Sequence, residues 1–162
     1  MEKIFSGPSL EVESVEDLCD KFELSVNDVA NALKRYYEFF KIDEWFEKIL
    51  KSWLTCSMKV EYLRGGRVSE VDWEKLERDG VHIKFLRETA YVVVARILLM
   101  RLVEDKAPEV LGGDEAVSGG EMVDSPYPFI ERYVSMLDAM KSIYGKLFER
   151  NVFFDWWLNG RD

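Results

Sequence analysis

With 162 residues, 48% of them apolar and 14% aromatic, the chain is long enough to build one domain with a substantial core and too hydrophobic to be a disordered segment. Its formal charge of -9 and its pI near 4.8 exclude a domain whose whole surface wraps bare phosphate backbone, because that requires a broadly basic face. Cys19 and Cys56 stand far apart, with no C-x-x-C pair and no histidine cluster beside them. Metal and redox chemistry therefore lack ligands, and two free buried thiols in a reducing cytoplasm are expected.

Taken in chain order, residues 1–13 are mixed and contain Gly7-Pro8, which predicts a poorly ordered or extended lead-in. They lack the basic region and apolar run of a signal peptide. Ser14, with Asp17 three residues later, opens a short helix through Phe22 in the manner of a capping box. Ser25 and Asp28 repeat that device, so a second helix is expected to about Lys41, carrying Val29, Leu33, Tyr36, Tyr37 and Phe40 at helical spacing. A third helix, capped by Asp43, places Trp45, Phe46, Ile49, Leu50, Trp53, Leu54, Met58 and Tyr62 on one broad stripe and ends near Arg64, before Gly65-Gly66. Ser69 and Asp72 predict another short helix through about Arg78, closed by Gly80.

The stretch Ala90 to Val103 is apolar except for Arg96 and Arg101. It is too short and too charged to span a membrane, which takes about 20 apolar residues. It is also too long for a buried strand, since strands usually run about 4–8 residues. One helix is therefore predicted from about Gly80 to about Asp105, with Arg101 and Lys106 near its C-terminal end and Pro108 stopping it. Two glycine pairs, Gly112-Gly113 and Gly119-Gly120, mark a flexible acidic loop over 111–124. Ser125-Pro126 then caps a last long helix ending near Arg150, with Phe129, Ile130, Tyr133, Val134, Leu137, Met140, Tyr144, Leu147 and Phe148 on one face. A strongly aromatic tail follows. No strand alternation, hairpin dipeptide or internal repeat stands out. The fold class is thus all-α, an irregular helical bundle around a buried central helix, with residues 14–162 forming a single domain.

Chemistry is sparse along this chain. The single histidine, His82, has no nearby nucleophile to activate, and a solvent-facing or capping role at a helix start is expected. Glu104-Asp105-Lys106 contains the E-x-K of magnesium-dependent nucleases, but it closes a helix without a strand partner, and helix-end charge complementarity accounts for the lysine. The glycine pairs match neither a P-loop nor a Rossmann turn, and Gly145-Lys146 lacks the flanking residues of the former. Ser125-Pro126-Tyr127-Pro128 approaches the [DNS]-P-P-[YFW] tetrapeptide of amino-methyltransferases, yet the order differs and it opens a helix. Of the basic residues on the central helix, Lys84, Arg87, Arg96 and Arg101, the buried arginines Arg96 and Arg101 are expected to pair with carboxylates. No catalytic, cofactor-binding or metal-binding residue is assigned.

The run R-E-T-A-Y-V-V-V-A-R-I-L-L-M-R-L-V-E-D-K, Arg87 to Lys106, resembles the N-terminal helical region of adenine-N6 DNA methyltransferases of restriction-modification systems, particularly type IIG and related type II enzymes. There a T-A-Y-hydrophobic run ends in R-hydrophobic-hydrophobic-E-D-K. Phe154 to Trp157, F-D-W-W, resembles the F-D-W-[YW] that follows in the same proteins, shortly before the catalytic domain. The resemblance implies a cytoplasmic, non-catalytic helical domain of a longer or companion enzyme that binds S-adenosylmethionine elsewhere. Its role would be docking on the catalytic methyltransferase domain and positioning DNA, with no membrane partner and with the tail Phe153 to Leu158 leading towards the catalytic domain. Exposed there, Trp156 and Trp157 would form an apolar patch for a partner to cover. Two alternatives stand beside it: a free-standing helical interaction protein, as a small subunit of a nucleoprotein assembly or an antitoxin-like partner, and a nuclease centred on Glu104 and Lys106.

Overall fold

The predicted central element is a continuous 26-residue helix, Val81–Lys106, here called α4 in chain order. Gly80 precedes it with φ +72°, a left-handed backbone that a side chain would strain and that turns the chain sharply out of the preceding helix. The computed structural model describes residues 14–65, 70–107 and 128–158. The expected lead-in, the loop at 111–124 and the Ser125-Pro126 cap lie outside them.

Ser14 caps α1 by accepting from the Asp17 amide at 3.1 Å, but the helix does not break at Ser25. It runs unbroken as Val15–Phe40, because Val26, Val29, Leu33, Tyr37 and Phe40 form one buried stripe along α4 and leave no reason to restart. The two expected helices are one. Next comes α2, Glu44–Cys56, shorter than predicted. Met58 adopts φ +56°, and the Lys59 amide reaches back to the Leu54 carbonyl at 2.7 Å, closing the helix as a left-handed C-terminal cap. Tyr62 thus leaves the stripe. Its hydroxyl instead donates to Asp79 at 3.0 Å, and its carbonyl accepts from the Asp72 amide.

Two strand residues on each side, β1 (Leu63–Arg64) and β2 (Glu70–Val71), pair antiparallel with Leu63 opposite Val71. No strand was anticipated; two-residue strands are too short to show alternation. Asp72 then caps α3, Trp73–Arg78, accepting from the Lys75 amide at 3.2 Å. The last long helix, α5, is Pro128–Tyr144, and a 3-10 turn, Gly145–Phe148, ends it before the expected Arg150. Asn151 caps the short α6, Val152–Asp155, and a final 3-10 turn covers Trp156–Leu158.

All of these pack on one hydrophobic cluster, and α4 is its post. Phe85, Leu86, Ala90, Val93, Val94, Ile97, Met100 and Val103 are buried against α1, α3, α5 and α6. Each fully buried large side chain contributes roughly 1.5–3 kcal/mol, so α4 alone stabilises the bundle by far more than any surface contact. Its jacket is incomplete, for Ile83 and Leu102 are half exposed. The two thiols are corrected as well: Cys19 and Cys56 are both exposed. Among the described residues no helix is long and apolar enough to cross a membrane.

At the tail, the condition for an apolar surface patch is not met. Trp156 and Trp157 are 2% and 1% exposed, so they form no patch on the surface. The Trp156 indole lies 5.5 Å from the Phe85 ring and 5.2 Å from Phe46, while Trp157 packs against Tyr133 at 5.3 Å. Aromatic residues at a chain end are as useful in filling the end of a bundle as in meeting a partner, and here they fill it.

Candidate functional site

The densest polar arrangement is built around Arg96, on the α4 face that meets α5 and α6. Its Nη1 donates to Asp155 Oδ1 at 2.7 Å and to the Tyr133 hydroxyl at 3.3 Å. Nε donates to the Leu147 carbonyl at 2.7 Å and Nη2 to the Glu149 carbonyl at 3.0 Å. The arginine and aspartate side chains are only 2% and 5% exposed. Burial by itself would favour the neutral guanidine, but Tyr133 and Asp155 outweigh it and hold Arg96 above its ordinary pKa. Burial also pushes the Tyr133 phenol up to about 12 against the opposing pull of Arg96, so it stays neutral.

Asp155 is itself held, since its Oδ2 accepts from the Asn151 amide at 2.8 Å. About two turns nearer the N-terminus of α4, Trp156 Nε1 donates to Thr89 Oγ1 at 3.0 Å, and Thr89 donates to the Phe85 carbonyl. Arg96 and Asp155 are therefore paired as expected of a buried arginine in an acidic chain. A permanently charged guanidinium bonded through all three of its nitrogens neither moves a proton nor accepts one, which makes this a structural lock. Outside the lock lies a hollow of about 420 Å³ lined by Val92, Lys146, Glu149, Arg150, Asn151 and Phe154, with Arg96 at its base. Arg150 and Asn151 also border a second hollow of about 220 Å³, whose other walls include Trp45, Ile49 and Val152.

A second cluster stands near the N-terminal end of α4. Glu77 accepts from the Tyr37 hydroxyl at 2.9 Å and from Lys41 Nζ at 3.1 Å. His82 stacks on the Tyr37 ring with centroids 5.5 Å apart. It is half-buried and neither faces solvent nor caps the helix, a correction caused by Tyr37 rising from α1 to meet it. Its Nδ1 is buried without a hydrogen-bond partner. Burial lowers the His82 pKa, with Glu77 pulling the other way. Tyr37 is raised by burial and by its bond to Glu77, whereas Glu77 is lowered by Lys41 and Tyr37 in spite of its own burial. Sequence inspection missed this group because its members are scattered over residues 37–82 and share no motif.

The remaining expectations fall as follows. Glu104 lies on the last turns of α4, and Arg132 of α5 approaches it at 3.4 Å; burial raises its pKa against Arg132 and Arg101. Lys106 is exposed. Among the described residues no three of His, Cys, Asp and Glu gather where an ion could sit. Arg101 faces Asp105 one turn away at 3.9 Å. Arg87 binds Asn27, Glu23 and Tyr91, tying α4 to α1. Both glycine pairs and Ser125 to Tyr127 are outside the described residues. Set against protein-family models, curated proteins and solved structures, the chain finds no match in any of the three comparisons.

Proposed function

We propose that this chain is a non-catalytic helical module of a DNA adenine-N6 methyltransferase or related restriction-modification protein. It docks on the catalytic domain, in the same or a companion chain, and helps position DNA. One observation supports this reading: the two stretches that resemble such enzymes, Arg87 to Lys106 and Phe154 to Trp157, meet through their polar residues. Arg96 binds Asp155 and Thr89 receives Trp156, contacts that join positions 59 and 67 residues apart. The module's work is then mechanical, and S-adenosylmethionine is bound by the catalytic domain alone.

Calorimetric titration of this chain with S-adenosylmethionine is expected to produce no binding heat, and tight binding would overturn the reading. The nucleotide sequence beyond codon 162, or of the neighbouring gene, is expected to encode a glycine-rich strand-turn-helix and a [DNS]-P-P-[YFW] tetrapeptide. Their absence from both places would sink the methyltransferase assignment in favour of a free-standing interaction protein.

A further inference from the structure

We infer that the turn joining α1 to α2 is a self-association surface, on which a second copy of this chain docks about a two-fold axis. The inference stands apart from the proposed function and holds equally for a docking module and for a free-standing protein. Exposure is the first argument. Ile42 is 84% exposed and Phe39 69%, and Phe39 is the one exposed phenylalanine or tryptophan among the described residues. Helical spacing sets it about 100° round α1 from Phe40 on the buried stripe, so the core does not use it. Its ring is nonetheless held. Phe39 packs edge-on against Phe40 at 5.2 Å, Phe40 against Trp45 at 5.0 Å and Trp45 against the buried Phe46 at 5.9 Å. An apolar side chain that is exposed yet backed by the core costs little to order when a partner covers it, as an interface anchor requires.

Shape is the second argument. Trp45, with Ile49 and Val152, walls the hollow of about 220 Å³. That is below the roughly 300–1,000 Å³ of small-molecule sites and suits a single inserted side chain. Phe39 and Ile42 project beside a recess that shares Trp45, a knob next to a hole. Two copies related by a two-fold axis therefore each offer what the other lacks.

The third argument selects the occupant. Arg35 lies one helical turn before Phe39 on the same face, exposed and without a bond or ion pair among the described residues. Beyond Ile42 come Asp43, whose side chain makes no capping bond, and Glu44, which is 86% exposed and has only a 3.8 Å contact to Lys48. Cation, apolar centre and carboxylates thus follow one another along the surface. A two-fold axis through the centre sets each copy's Arg35 opposite the other's Glu44. A uniformly basic partner would be repelled by Arg35, and nucleic acid or an anionic membrane by the carboxylates, whereas a second copy satisfies both edges. The surface is small, so the dimer belongs to the micromolar class.

Sedimentation velocity of the whole chain from about 1 to about 300 µM tests this, since that range brackets a micromolar dimer. The mass is expected to rise from one chain towards two and to stop there, because a two-fold interface closes on itself. A mass of one chain throughout, or growth past two, would overturn the inference. Phe39→Ala with Ile42→Ser should weaken the dimer about tenfold or more, and a dimer that tolerates both would overturn this surface as its seat. Arg35→Glu and Glu44→Arg should each weaken it several-fold by setting like charges face to face. Mixing these two single variants in equal amounts should restore association close to that of the wild type, because both crossed pairs in the mixed dimer again have opposite signs. A mixture no tighter than either variant alone would overturn the two-fold arrangement. All four residues are exposed, and unchanged thermal melting of the variants separates association from folding.

Discussion

Two ion pairs, one joining the middle of α4 to α6 and one joining the end of α1 to α3, use the same chemistry in different surroundings. Arg96 and Asp155 meet at 2.7 Å with side chains 2% and 5% exposed, whereas Lys41 and Glu77 meet at 3.1 Å with side chains 29% and 33% exposed. Water stays beside the second pair and can replace either partner. Inside the first, each charge depends on the other and on fixed neighbours: two backbone carbonyls, Tyr133 and the Asn151 amide. The lesson is that burial, and not distance, decides how much of the fold rests on a charge pair.

Breaking the buried pair is the severest test of that contrast. Asp155→Ala leaves Arg96 charged without its counterion, and a loss of about 3–5 kcal/mol is expected in urea unfolding. Replacing both residues together, as Arg96→Met with Asp155→Leu, should recover part of it, because the desolvation penalty disappears along with the attraction while the Leu147 and Glu149 carbonyls and the Asn151 amide lose their partners. A double variant no more stable than Asp155→Ala would mean that the pair serves some purpose other than neutralising itself.

Next in size is the hydrogen bond beside the lock. Thr89→Val keeps the shape of the core but removes the acceptor of Trp156 Nε1, so a loss of about 1–3 kcal/mol is expected from the stranded indole N–H. Trp156→Phe in the same background should add less than it does in the wild type, and simple additivity would show that the bond does not couple the two residues.

The half-open cluster responds to pH where the buried lock does not. His82 has a folded pKa below its ordinary 6.5, so the unfolded chain takes up the proton first. Stability is therefore level above that value and declines as the pH falls through it. The groups around the ring are Glu77 and Glu38, which favour its proton, and Lys34 and Lys41, which oppose it. Glu77, lowered from 4.5, contributes stability that is present above that value and lost only at still lower pH. Glu104, raised from 4.5, has the opposite sign and gains stability as it protonates. Melting temperatures between pH 8 and 5, an interval chosen roughly to bracket ordinary histidine titration, should drop for the wild type and flatten for His82→Phe. An unchanged slope in the variant would assign the acid sensitivity elsewhere.

Smallest of all is Lys41→Met. With both partners about a third exposed, its removal should change stability by less than about 1 kcal/mol. A loss approaching that of Asp155→Ala would erase the distinction drawn between the two pairs.

The all-α class, the existence and extent of α4, and the pairing of Arg96 with a carboxylate were legible in the residues. A long run of apolar side chains has one economical conformation, and a buried guanidinium in an acidic chain needs a counterion. Some local signals misled. Ser25 and Asp28 carry a cap pattern, yet the buried stripe from Val26 to Phe40 overrode it, because capping is worth about 1 kcal/mol and a continuous packed face several times that. Met58 has no glycine-like preference for positive φ, so nothing in its identity marked the helix end that the Lys59 amide closes on the Leu54 carbonyl.

What the amino-acid order determined by itself was periodicity: which stretches are helices and which of their faces avoid water. Which faces meet was decided by the tertiary structure alone. That decision buried Trp156 and Trp157 instead of exposing them, chose Asp155 among 31 acidic residues as the partner of Arg96, and gathered Tyr37, Glu77 and His82. The physical reason is that helical spacing acts over a few residues, whereas packing depends on shapes and charges brought together from the whole chain.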